Sequence, residues 1–289
     1  MPNFIETRDG TRLFYRDWGA GKPALFVHAW ALPSDMWCYQ MAPLSERGLR
    51  CIAYDRRGHG RSEDPGRGYD FDTLADDLAA VIDELDLHEV TLVGLSVAAG
   101  EMARYMTRHG ADRIAGLVFV APACTPFLPR TADNPDGIDP QVFEDFRRNE
   151  LLYDYPQWLE ANARPFVVED TSRATIDWIK SLMLQNSMKA ILDVNRAATS
   201  TDFRADLAAI RVPTLVIHGD RDASAPIDLT GRKTAAMIEG AQFKLYEGAP
   251  HGLFLTHMDR LNADLFDFVM RVAAKGQRIH APAGVAAHV

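Results

Sequence analysis

The run Val90-Thr91-Leu92-Val93-Gly94-Leu95-Ser96-Val97-Ala98-Ala99-Gly100 constrains the fold more than any other part of the chain. Strand formers lead into a serine flanked by small residues, and a helical pattern follows at once. A buried strand must therefore reverse into a helix within one or two residues. Such a turn brings strand and helix so close that the positions two before and two after the serine must be small. Gly94 and Ala98 meet that requirement. The turn is expected to hold Ser96 in a strained backbone conformation with its hydroxyl at the carboxyl end of the strand. The following N–H and the helix N-terminus then favour negative charge beside it. Those are the surroundings of a nucleophile, and we read Ser96 as one. An ordinary Gly-Ser turn has the same local pattern, so partners elsewhere in the chain must decide.

Upstream, Phe4–Glu6 and Thr11–Trp18 flank Asp9-Gly10 and predict a hairpin at one sheet edge. Ala24-Leu25-Phe26-Val27 is an apolar strand running into the unusual loop His28-Ala29-Trp30-Ala31-Leu32-Pro33. A helix from Ser34 or Asp35 to Arg47 and a strand over Leu49–Tyr54 follow, and the glycine-rich loop from Asp55 to Ser62 comes next. Leu74, Leu78, Val81, Ile82 and Leu85 recur at helical spacing within Phe71–Leu87, with Asp70 or Asp72 as the cap. Near-continuous apolar strands alternating with helices mean a mostly parallel sheet covered on both faces, an α/β architecture.

After a strand from Ala115 to Val120 the rhythm changes, and residues 125–201 show helical patterns without a convincing strand. We read them as an inserted helical cap whose Trp158, Phe166, Trp178, Met183 and Met188 are candidates for an apolar pocket, although such stripes more often form core. The sheet resumes at Pro213–His218 and Gln242–Tyr246, and a helix with Leu261, Leu265, Phe268 and Val269 on one face closes the fold. The organisation is thus core over 1–124, cap over 125–201, core again over 202–274, and a tail over 275–289 expected to be disordered.

With 289 residues, 47% of them hydrophobic, the chain suits one α/β domain carrying an insertion. Its formal net charge of −9 argues against nucleic acid or an anionic membrane surface as partner, since both require a basic face. No apolar run approaches the roughly 20 residues of a membrane helix, and the N-terminus lacks the basic and apolar regions of a secretory signal. The three cysteines, Cys38, Cys51 and Cys124, lack metal-like spacing and suggest a reducing compartment, so a cytoplasmic location is expected. A homo-oligomer is compatible with the sequence without being indicated by it.

A serine hydroxyl needs an adjacent base, and that base needs a carboxylate to fix its tautomer and stabilise the imidazolium. Three loops following predicted strands supply these parts: Ser96, an acid in Gly219-Asp220-Arg221-Asp222, and His251 in Pro250-His251-Gly252. In a parallel sheet such loops share the edge where ligands bind. Among nine histidines only His251 follows the last strand in a Pro-His-Gly turn. His28 and His218 end strands and read as satisfied near-core residues, while His59 reads as ordering the glycine-rich loop. The developing oxyanion needs preorganised donors. The Val97 N–H, next to the nucleophile, and the Trp30 N–H, in the loop after the first long parallel strand, are the candidates.

The order serine, acid, histidine is that of the α/β-hydrolases, and the chain resembles that superfamily across residues 10–272. Gly219, Asp222 and Pro226 match its Gly-x-x-Asp-x-x-x-Pro pattern, which points to Asp222 as the acid and leaves Asp220 as a turn former. His28-Ala29-Trp30, Asp55–Ser62 and Glu101-Met102-Ala103-Arg104-Tyr105 resemble the cofactor-free haloperoxidase or perhydrolase-like serine esterases. That resemblance implies a Ser-His-Asp triad, an acyl-enzyme formed from esters, a side activity making peracids from hydrogen peroxide, and no metal or organic cofactor. Two departures stand out: Ala29 replaces a glycine before the tryptophan, and Ala98-Ala99 replaces Gly-Gly after the nucleophile. Ala31 stands where efficient perhydrolases tend to carry proline, which favours plain hydrolysis.

The expected function is hydrolysis of carboxylic esters of small to medium hydrophobic acyl groups, with a small-molecule ester or lactone as partner. Lactonase, amidase or lactamase, perhydrolase and carbon–carbon bond hydrolase share the triad and remain alternatives. So does a non-hydrolytic ligand receptor on the same scaffold. Dehalogenases and epoxide hydrolases place an aspartate at the elbow, and Ser96 counts against both.

Overall fold

The apolar runs form eight strands: β1 (Phe4–Glu6), β2 (Arg12–Trp18), β3 (Lys22–Val27), β4 (Leu49–Tyr54), β5 (Val90–Leu95), β6 (Ile114–Val120), β7 (Thr214–Gly219) and β8 (Gln242–Tyr246). They make one sheet in the order β1-β2-β4-β3-β5-β6-β7-β8. The β1–β2 hairpin lies at one edge, its partners Phe4 with Phe14 and Glu6 with Arg12 running antiparallel. From β4 onward every pairing is parallel. All six residues of β5 are buried, as a strand covered on both faces requires. The computed structural model describes residues 3–123, 130–132 and 134–279, the last six as backbone alone.

The helices are α1 (Cys38–Glu46), α2 (Phe71–Glu84), α3 (Ala98–His109), α4 (Pro140–Phe146), α5 (Leu152–Asn162), α6 (Arg173–Met183), α7 (Met188–Ser200), α8 (Arg204–Ala209), α9 (Gly231–Met237), α10 (Leu253–Thr256) and α11 (Met258–Ile279). One face of the sheet is covered through Leu74, Leu78 and Met102 of α2 and α3, the other through Met41, Leu44, Leu261 and Leu265 of α1 and α11. Asp70 caps α2 by accepting from the Thr73 N–H. The helix ends at Glu84, three residues short of the apolar pattern, and Leu87 packs into the core from beyond the helix end.

Between β6 and β7 the chain is helical from α4 to α8, with a π-helical turn at Arg147–Leu151 and a single isolated bridge between Thr131 and Asn134 among the described residues. The helix predicted after β3 begins with a tight 3-10 turn at Ser34–Trp37 before α1. At the other end the backbone stays helical to Ile279, beyond the expected start of an irregular tail at Lys275, because extending an existing helix is easier than starting one. Residues 280–289 and Cys124 lie outside the described residues. Cys38 and Cys51 are free thiols, and burial pushes the Cys51 thiol up to about 12.

The strand order fixes where a ligand can sit. β3 lies between β4 and β5, so the chain leaves β3 in one direction and returns past it in the other. At such a switch point the loops diverge and open a crevice outside the carboxyl ends of the strands. Trp30 follows β3 and Ser96 follows β5.

Candidate active site

Ser96 has φ of 62°, in the left-handed region that a non-glycine residue occupies only when its surroundings impose it. The elbow is pinned on both sides: the Ser96 N–H donates to Val120 O at 3.0 Å, and Ser96 O accepts from the Ala99 N–H at 3.1 Å. Gly94 is required here. A Cβ at that position would run into Met102 Sδ and come within 2.9 Å of the Ala98 methyl. The methyl of Ala98, a departure noted from the sequence, therefore fits because Gly94 leaves the space empty. Ala29, the other departure, is buried and lines the cavity described below.

Asp222 and His251 arrive from the loops after β7 and β8. His251 Nδ1 lies 2.7 Å from Asp222 Oδ2, with both side chains buried. Two further N–H groups, of Ser224 and Ala225, donate to Asp222 Oδ1 at 2.9 and 2.7 Å. Burial pushes the Asp222 carboxyl up, but the electrostatic attraction of the His251 ring and the hydrogen bonds from His218, His251 and Ala225 more than offset it. The group is held well below the usual carboxylate range. Asp220 does not face His251. Its carboxylate accepts from the Gly248 N–H at 2.7 Å and ties the two loops together.

His218 is the residue whose part the sequence reading missed. Its Nε2 lies 3.0 Å from Asp222 Oδ2 and 2.9 Å from Ala225 O, two acceptors, so Nε2 carries the proton. Among the described residues Nδ1 has no hydrogen-bond partner and is buried against Gly231, where a Cβ would collide with the ring. The available signal was the spacing: His218 precedes Asp222 by four residues across a tight loop.

Trp30 and Val97 line the same cavity as Ser96 and His251. Among the described residues neither backbone N–H has a protein acceptor, while the N–H groups of Ala29, Ser96 and Ala99 around them are all engaged. Two free donors beside a serine are what a developing oxyanion requires. Ala31 has φ of 57°. A proline ring is locked near −65°, so this loop adopts a path that a proline at position 31 cannot follow.

Beneath the loop lies a buried polar network. The Arg56 guanidinium donates to Glu101 at 2.7 Å and to His28 O at 2.9 Å, and Tyr54 donates its hydroxyl to the same Glu101. The Arg56 N–H donates to His28 Nε2 at 2.8 Å, so His28 carries its proton on Nδ1 and donates to Ala29 O. Burial holds His28 well below the usual histidine range, with the Arg56 charge acting in the same direction. His59 orders the glycine-rich loop through Nδ1 and Arg57 O at 3.0 Å.

The cavity has a volume of about 720 Å³. Trp158, Phe166 and Met183 line it as the sequence suggested, joined by Phe143 and Phe146, whereas Trp178 packs on Tyr39 and Met188 on a core cluster. Phe166 meets the His251 ring edge-on at 5.7 Å. Among the described residues no three His, Cys, Asp or Glu side chains are grouped as metal ligands, and no helix is long and apolar enough to cross a membrane.

A mostly parallel eight-stranded sheet with a left-handed serine at the strand-to-helix turn after β5 defines an α/β hydrolase. The model of the family described as alpha/beta hydrolase fold matches residues 22–258. The non-heme haloperoxidase of Rhodococcus erythropolis is 41% identical over 275 residues, covering 93% of this chain and 99% of the relative. The bifunctional esterase/perhydrolase of Acinetobacter calcoaceticus is 35% identical over 275 residues, covering 92% and 99%. The crystal structure of a bromoperoxidase from Bacillus anthracis superposes with a TM-score of 0.88 at 34% identity, covering 93% of this chain and all of that one. The chain belongs to the α/β-hydrolase family, among its haloperoxidase-like members.

Proposed function

We propose that this protein is a serine hydrolase that cleaves carboxylic esters of small to medium hydrophobic acyl groups, with Ser96, His251 and Asp222 as the triad. The observation that carries this reading is the pairing of His251 Nδ1 with a buried, ionised Asp222, in a cavity shared with a serine at φ of 62°. Asp222 fixes the tautomer that leaves His251 Nε2 free to act as a base.

In this reading His251 takes the Ser96 proton as Oγ attacks the ester carbonyl. The negative charge that develops on the carbonyl oxygen is received by the Trp30 and Val97 N–H groups. The tetrahedral species collapses, the carbon–oxygen bond to the alcohol breaks, and His251 returns its proton to the departing alkoxide. Water then gives a proton to His251 and attacks the acyl-serine. Collapse releases the carboxylic acid and returns the proton to Ser96. The aromatic lining of the cavity from Trp30, Trp158 and Phe166 suits an apolar acyl group.

A second reading has support from a relative. The Acinetobacter protein is described as a bifunctional esterase/perhydrolase, and hydrogen peroxide in place of water at the acyl-serine would give a peracid by the same proton transfers. Ala31, standing where efficient perhydrolases tend to carry proline, favours water as the main acceptor in this reading.

The test is hydrolysis of p-nitrophenyl esters from acetate to octanoate by wild type, Ser96→Ala and His251→Ala, with and without hydrogen peroxide. Turnover that depends on both residues and peaks at one chain length is expected. Esterase activity surviving Ser96→Ala would overturn the assignment.

A further inference from the structure

The helical insertion is tied to the loop after β3 through one side chain. Asn186, in the turn between α6 and α7, donates from Nδ2 to Ala31 O at 2.7 Å and accepts at Oδ1 from the Gly60 N–H at 2.9 Å. The same Nδ2 lies 3.2 Å from Leu182 O and 3.0 Å from Met183 O at the end of α6, which orients the amide. Beside it the Ser187 N–H donates to Gly58 O at 2.9 Å, and the Trp30 indole donates to Ile191 O at 2.8 Å. Residues 186–191 thus grip both the loop after β3 and the loop after β4.

That grip falls on the residue after the one whose N–H faces the cavity. Ala31 is fully buried at φ of 57°; among the described residues the backbone of the turn from Ala29 to Leu32 is closed by one bond of 3.5 Å, and the His28 ring holds Ala29 O at 2.8 Å, one residue short of Ala31. A strained residue persists only where its surroundings over-determine it. For Ala31 the polar group doing so is the Asn186 amide, and Ala31 is the residue directly after Trp30.

We propose that Asn186 is a positioning residue for the oxyanion site: by holding Ala31 O it fixes the Trp30 N–H at the angle the developing oxyanion needs. The seating of the helical insertion and transition-state stabilisation are then coupled. This inference rests on the reading of Trp30 as an oxyanion donor.

Asn186→Asp tests it. The aspartate keeps an oxygen for the Gly60 N–H but offers Ala31 O no donor, and it places negative charge against that carbonyl. An oxyanion donor acts in the transition state and not in the ground state, so its displacement lowers kcat with little change in KM. Removing such a donor outright costs about 10²–10³ in kcat, and mispositioning it should cost about 10–100-fold. The inhibition constant of an alkylboronic acid, which forms a tetrahedral adduct on serine, should rise in step with the fall in kcat/KM. Active sites are counted by end-point labelling with a fluorophosphonate, so that kcat is expressed per reactive serine.

Native kcat and boronate affinity in Asn186→Asp, with wild type active, would overturn this inference alone. So would a loss of activity that follows a lost fraction of labelled enzyme at unchanged kcat per site. A wild type that neither hydrolyses esters nor is labelled at Ser96 would overturn the reading of the site, and the inference with it.

Discussion

His218 Nε2 and His251 Nδ1 converge on one oxygen, Asp222 Oδ2, at 3.0 and 2.7 Å. The other oxygen takes two backbone N–H groups, so the carboxylate is saturated with four donors. A carboxylate fixed in that way cannot rotate out of line with His251, and His218 holds it from outside the cavity lining. His218→Leu, which removes the bonds to Asp222 and Ala225, is expected to lower kcat about 10-fold, the value of one hydrogen bond to a charged group at about 1.5 kcal/mol. Steady-state kinetics per labelled Ser96 would show it, and an unchanged kcat would mean that the backbone donors suffice.

Gly252 follows His251 and donates its N–H to Phe166 O at 2.8 Å, and a Cβ at that position would strike the same carbonyl. Gly252→Ala must therefore push the Phe166 segment away from the His251 loop. We expect a loss of about 1–3 kcal/mol of stability, read as a fall in Tm of about 2–4 °C per kcal/mol. A raised KM for apolar esters should accompany it as Phe166 leaves the cavity wall. A variant with native Tm and KM would show that the segment yields freely.

Arg56 and Glu101 form a fully buried ion pair beneath the loop that carries Trp30. Glu101→Gln removes one charge and strands the other in a site closed to water. The expected cost is about 3–5 kcal/mol, measured by urea unfolding. Glu101→Gln combined with Arg56→Met should recover part of it, since the uncompensated cation is then gone. Equal stability of the single and double variants would place the cost elsewhere in the network.

His59 is buried, and that burial, reinforced by the charge of Arg56, lowers its pKa to about 3 from an ordinary value of 6.5. Between those values the unfolded chain binds a proton there that the folded protein does not. Stability is therefore lost as pH falls through that window, by up to about 1.4 kcal/mol per pH unit, and is untouched above it. His59→Asn keeps a donor near Arg57 O and removes the titrating ring. Urea unfolding from pH 7 to 4 should give a flatter pH dependence for the variant than for wild type. Parallel curves would exclude His59 as an acid-sensitive group, and the comparison cancels carboxylates that titrate in the same range.

Much of this arrangement is legible in local sequence because the physics behind it is local. A strand covered on both faces needs an unbroken apolar run, and the strand-to-helix reversal at Ser96 admits only small neighbours. Hence β5, the elbow, the hairpin edge and the loop positions of Ser96, Asp222, His251 and Trp30 follow from residue type and order. The family follows as well. The contacts between residues far apart in the chain are set by how the chain packs in three dimensions. Asp220 and Asp222 differ by two positions, but only the path of the loop after β7 turns one toward His251 and the other toward Gly248. Asn186 meets Ala31 across 155 positions, and the Trp30 indole meets Ile191 across 161. No periodicity or spacing encodes such pairs, because they depend on how the helices between β6 and β7 pack against the loops after β3 and β4. His218 reads as an ordinary strand-end residue until Asp222 folds back beside it.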